Sequence, residues 1–256
     1  MTVFCHPEQQ QRMNTNDAIV VGVPLYPDCT LLDFAGATQM FTPFTGADFK
    51  PVWIACEKEP ILTTEGVSVM PNETFASAPE VDILFIPGGG GKGVSHAMLN
   101  DSFIKHLRKL ADQATWVGSV CTGAFILAAT GYFKNFNNLK VTTYWSQLAN
   151  LDLFPEIEVE QDSYPASLID KEAKVFSGGG VSSSIDLSLN LTELLKSKRT
   201  CESVALMNQY APQPPVCSGN PNQAPPELTQ QVRDLQQGFT ETMRKATEEV
   251  IARMSS

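Results

Sequence analysis

Three short apolar runs, AIVVGVP at 18–24, VDILFIP at 81–87 and TWVGSV at 115–120, each give way to small or turn-forming residues and then to a stretch with helical spacing. Runs this short and this continuous suit strands buried on both faces, the condition of a parallel sheet with helices on each side. Parallel neighbours need a long crossover between them, and the intervening stretches have the length and period of helices. The chain is therefore expected to form an α/β three-layer sandwich with a mostly parallel central sheet.

The rest of the chain fits this frame. Helices are expected over 30–44 behind a Thr30 cap, over 100–114 behind Asn100 or Asp101, and over 122–133 with Gly131 as terminator. KPVWIACE at 50–57 reads as a strand, and 61–75 as a hairpin around Glu65 and Gly66. Residues 139–145, 156–163 and 173–180 look extended, and 181–198 and 200–210 helical. A Pro-rich loop at 211–226 leads into a last helix at 228–254. Residues 1–17 of the 256-residue chain read as a loose arm, and 18–256 as a single enzyme-sized domain.

Charge and cysteine usage narrow the partners. The net charge of −10, with no run of clustered Lys and Arg, argues against nucleic acid and for small molecules. The six cysteines show no CxxC spacing, and the polar N-terminal stretch lacks a signal-peptide core. A reduced, cytoplasmic protein with no membrane span is expected. Only His6, His96 and His106 are present, and none makes a metal-ligand pattern, so no metal is expected.

Chemistry is expected at Cys121. It stands between a buried strand and the first turn of a helix, framed by Gly118, Ser119 and Gly123, as in a tight nucleophile elbow. The helix N-terminus there favours a thiolate, and the Thr122 N–H with an N–H from Gly89 or Gly90 would form an anion hole. Cys5, Cys29, Cys56, Cys201 and Cys217 lack this setting and read as packing residues. Asp28 reads as a turn former, Asp186 as a helix-face or first-turn residue, and His96 as a surface residue. Gly178, Gly179 and Gly180 let backbone approach the crevice, and Val181 is expected to line its pocket.

The segments GVPLYPDCTLLDFAGATQMF, DILFIPGGGGKG, SVCTGAFILAATG, VTTYW, FSGGGVSSSIDLSLNL and QYAPQPPVCSGNPNQAPPE, in that order, resemble the PfpI superfamily and within it the isocyanide hydratases. The resemblance implies a flavodoxin-like fold of the class I glutamine-amidotransferase type and a homodimer. It also implies Cys121 as nucleophile, Asp33 as its acidic partner and Thr122 as an adjacent hydroxyl and amide donor. Many relatives carry histidine where this chain has Tyr144, so a Cys–His–acid triad is not expected. A second carboxylate beside a thiolate would raise the thiol's pKa, which makes Asp33 most useful protonated. The implied reaction adds water to an isocyanide without a cofactor. A glyoxalase or deglycase acting on 2-oxoaldehydes is the alternative enzyme, and a non-catalytic ligand or redox sensor the alternative outside catalysis.

Overall fold

A computed structural model describes residues 18–42, 48–161, 164 and 166–255. The arm at 1–17, with Cys5 and His6, lies outside the described residues.

The chain begins with β1 (Ile19–Pro24), α1 (Leu31–Met40) and β2 (Phe49–Ala55). The hairpin strands β3 (Ile61–Leu62) and β4 (Ser68–Val69) follow, then β5 (Glu73–Thr74) and β6 (Ile83–Ile86). Next come α2 (Gly91–Leu99), α3 (Asp101–Gln113), β7 (Trp116–Val120) and α4 (Gly123–Ala129). Past β8 (Leu139–Val141), α5 (Leu148–Leu151) and β9 (Ile157–Val159), the chain returns through β10 (Ser167–Asp170) and β11 (Val175–Gly178). It closes with α6 (Ser183–Leu195), α7 (Lys198–Met207), α8 (Pro226–Leu235) and α9 (Gln237–Met254).

Seven strands form the central sheet in the order β10-β11-β7-β6-β1-β2-β5, and every pairing but β10 with β11 is parallel. Every residue of β6, β7 and β11 is buried, as expected for strands covered on both faces. Helices α1, α6 and α7 pack together over the sheet, as do α2, α4 and α9, so the expected sandwich forms. Strands β8 and β9 pair in parallel outside the main sheet.

Three elements differ from expectation. Helix α2 starts directly in the glycine stretch, at Gly91. Its N-cap, Gly90, has no side chain to offer, and the carboxylate of Asp28 instead accepts the Gly93 N–H at 3.1 Å. Strand β10 is a half-buried edge strand without the continuous apolar run that marks the others. The last helix is broken at Gln236 into α8 and α9. Thr30 holds the N-cap position of α1 but makes no side-chain cap bond, whereas Asn100 caps α3 by accepting the Phe103 N–H at 3.0 Å. Gly131, at φ 71°, ends the helical stretch after α4 in the left-handed conformation that glycine adopts without strain.

The neighbours β1, β6, β7 and β11 all run the same way, so their C-terminal turns open along one edge of the sheet. That edge is where open α/β sheets bind ligands. It brings together residues 25–30, 87–90, 121–122 and 179–182.

Candidate active site

Cys121 follows β7 and is buried, with φ 55°. A left-handed backbone costs a non-glycine residue about 1–2 kcal/mol and persists only where the surroundings fix it. Here they do. The Cys121 N–H donates to Gly179 O at 2.7 Å and Gly178 O at 3.2 Å, and the Thr143 hydroxyl donates to the Cys121 carbonyl at 2.6 Å. The bend turns the chain from strand into α4 within two residues.

Asp33 lies in the first turn of α1 and is fully buried. Its Oδ2 accepts the Gly88 N–H at 2.7 Å, while Oδ1 is buried without a hydrogen-bond partner among the described residues. The carboxyl and the Cys121 thiol are close enough that each influences the ionisation of the other. Gly88 separates the two walls of this site. A Cβ there would stand 2.6 Å from the Thr122 amide nitrogen and hydroxyl and 2.9 Å from Asp33 Oδ2, so only glycine fits.

Burial disfavours the charged form of both groups. Burial is the main cause of a rise in the Asp33 pKa to about 8; the Glu65 charge adds to it, while the Gly88 N–H opposes it. The Cys121 thiol is pushed well above its ordinary value by burial and then by Asp33, against hydrogen bonds from the Thr122 amide and hydroxyl. The expected thiolate is thus not the resting form. The dipole of α4, only seven residues long, does not offset removal of the sulfur from water.

The glycine amides also differ from expectation. Gly89 N–H donates to Thr122 Oγ1 at 3.0 Å and Gly90 N–H to Asp28 O at 2.9 Å, so neither is left to form an anion hole. They hold the loop in place instead. Thr122 binds the glycine loop through its hydroxyl, which accepts the Gly89 N–H and donates to Gly89 O at 3.2 Å. Tyr26, absent from the sequence reading, is buried nearby with its hydroxyl donating to Pro87 O at 3.1 Å.

A pocket of about 480 Å³, within the usual range for small-molecule sites, opens on this side of the sheet. Cys121 and Asp33 do not line it themselves, and it reaches them through Leu32, the neighbour of Asp33, and Gly179, which bonds the Cys121 N–H. Thr143 and Gly179, which hold the Cys121 backbone, form part of its wall. Leu32, Tyr144, Trp145 and Val181 supply apolar surface, so Gly179 and Val181 both reach it, and Asp186 and Asn220 add polar groups. Asp186 accepts the Tyr210 hydroxyl at 2.8 Å. The stretch from the Pro-rich loop to α8 closes over this side: Gln236 Nε2 donates to the Tyr144 hydroxyl at 2.8 Å, and the Arg233 guanidinium lies 4.8 Å from the Trp145 ring centroid. These contacts join residues about ninety positions apart and left no local signal in the sequence.

His96 is exposed on α2 and lines a separate cavity of about 360 Å³ with Cys56, Tyr26 and Phe103. Asp28 is a turn residue, at φ 66°. Among the described residues no three His, Cys, Asp or Glu side chains gather closely enough to hold a metal ion, and no helix is long and apolar enough to cross a membrane.

The DJ-1/PfpI family profile matches residues 22–194. An isonitrile hydratase of Pseudomonas putida is 28% identical over 238 residues, 93% of this chain and 99% of that protein. The transcriptional regulator GbdR of Pseudomonas aeruginosa is 23% identical over 196 residues, 75% of this chain but 50% of the regulator. The crystal structure of a THiJ/PfpI family protein from Pseudomonas syringae superimposes with a TM-score of 0.80 at 24% identity, covering 95% of this chain and 96% of that one, and shares the fold.

Proposed function

The chain belongs to the DJ-1/PfpI family, and from that premise we propose that it is an isocyanide hydratase, adding water to R–NC to give the formamide R–NH–CHO. The observation that carries this reading is the burial of Cys121 and Asp33 together, which favours the neutral form of both, near a pocket with an apolar wall of Leu32, Tyr144, Trp145 and Val181. The 28% identity to the isonitrile hydratase along nearly its whole length supports it.

An isocyanide carbon must gain both a nucleophile and a proton, and a neutral thiol–acid pair can deliver both. The Asp33 proton passes to the carbon as the Cys121 sulfur bonds to it, and the thiol proton replaces the one Asp33 gave up. The product is the thioimidate R–N=CH–S–Cys121. Water then adds to the same carbon while Asp33 gives its proton to the nitrogen and takes one from the water in exchange, and the proton of the new hydroxyl passes to the sulfur as it leaves. Breaking the C–S bond releases the formamide and restores the thiol. Only water is consumed, and no charge is left in the buried site. Thr122 hydrogen-bonds the sulfur, while the pocket wall of Leu32, Tyr144, Trp145 and Val181 receives the R group.

A homodimer in the cytoplasm belongs to the same proposal. Support for the dimer comes from Leu62, Val67 and Met70, which expose apolar side chains on and beside the β3–β4 hairpin.

The test is a set of alkyl and aryl isocyanides, run beside methylglyoxal, with formamide and lactate followed by NMR. Formamide is expected with wild type, and a loss of at least about a thousandfold in Cys121→Ala with the fold retained. Lactate instead of formamide favours the deglycase, while ligand binding with no turnover favours a sensor like the regulator relatives. Formamide production undiminished in Cys121→Ala ends the proposal.

A further inference from the structure

The β3–β4 hairpin takes no part in the chemistry above, yet its tip grips the turn that precedes α1. Asp28 N–H donates to Leu62 O at 2.9 Å, Thr64 N–H to Cys29 O at 3.1 Å, and the Thr64 hydroxyl to Asp28 O at 2.8 Å. Glu65 Oε2 then accepts the Leu31 N–H at 2.9 Å. Leu31 is the first residue of α1, whose own cap residue makes no side-chain bond. An acceptor thirty-four positions away thus supplies what the local sequence omits.

Any acceptor would serve for capping, whereas a carboxylate also puts a negative charge near the buried acid of the same helix turn. The titratable groups acting on Asp33 are Glu65, on the hairpin, and Cys121, after β7. Tyr26 and Cys29, from the turn after β1, feel the Asp33 charge in their turn, and burial holds both in the neutral form. Asp28 directs its carboxylate to the start of α2. Among these groups, Glu65 is the charged neighbour that opposes ionisation of Asp33.

We propose that Glu65 is a positioning residue for Asp33: the hairpin carboxylate fixes the start of α1 through the Leu31 N–H and so sets a negative charge against the helix turn that carries the buried acid. The proposal rests on Asp33 serving as the acid of the hydration reaction. Glu65→Gln tests it, because the amide oxygen can still accept the Leu31 N–H while the charge is gone.

Two readouts are followed across pH: kcat/KM for a neutral isocyanide, and the infrared C=O band of the protonated Asp33 carboxyl, assigned by its absence in Asp33→Asn. In Glu65→Gln both midpoints should move to lower pH by about half a unit, the size expected of an exposed charge. Raising the salt concentration should move the wild-type midpoint the same way, since an exposed charge is screened. An infrared midpoint unchanged in Glu65→Gln overturns the proposal. Absence of turnover in wild type would count against the hydratase reading, and the infrared titration would still decide the role of Glu65.

Discussion

Cys121 and Asp33 are each held in a state their side chains disfavour, the first by a left-handed backbone and the second by burial. The cost at Asp33 has a definite sign. Its pKa is 3.8 when exposed and about 8 in the folded protein, so between these values the native state binds the proton that the unfolded chain has released. Wild-type stability should therefore fall as pH rises from about 4 to about 8. Asp33→Asn cannot ionise, so urea unfolding at pH 4, 6 and 8 should show its advantage over wild type growing across that window and levelling off above it. An advantage independent of pH would mean that Asp33 ionises as readily as an exposed carboxyl. At this scale the sequence marked Cys121 by its elbow, and resemblance marked Asp33. The protonation of Cys121 was not legible, because it depends on how much water the tertiary fold removes, and a helix start seen in sequence says only where the dipole points.

The four strand-to-helix turns meet because β1, β6, β7 and β11 are neighbours, and Gly88 stands where the turns after β1, β6 and β7 crowd together. Gly88→Ala would push a methyl group into the Thr122 amide and the Asp33 carboxyl. Overpacking at such a junction is expected to cost about 1–3 kcal/mol in urea unfolding. Formamide production should drop at least about tenfold, as a displacement of 1 Å near the chemistry can cost more than that. The strands and most helices were legible from apolar runs and period. Helix α2 was not, because the acidic group that caps it belongs to Asp28, sixty-five positions away. Strand β10 was missed for want of a buried run, and the break at Gln236 because its hydrogen bond to Tyr144 exists only in the folded chain.

Across the molecule, the segment after α7 passes back over the pocket and is fastened by Gln236 to Tyr144 and by Arg233 to Trp145. Each contact is worth about 1 kcal/mol. The double variant Arg233→Ala/Gln236→Ala should raise KM several-fold and leave kcat within about twofold, because these residues shape the wall and do not touch the reacting sulfur. A fall in kcat with KM unchanged would place the segment in the chemistry itself. The buried, proton-bearing sulfur has one more consequence. Peroxides attack thiolates, so a cysteine whose burial favours the protonated sulfur is spared the oxidative damage to which an activated thiol is open. The same burial that raises the thiol's pKa thus lets the sulfur wait unspent in surroundings that would disable a more eager nucleophile.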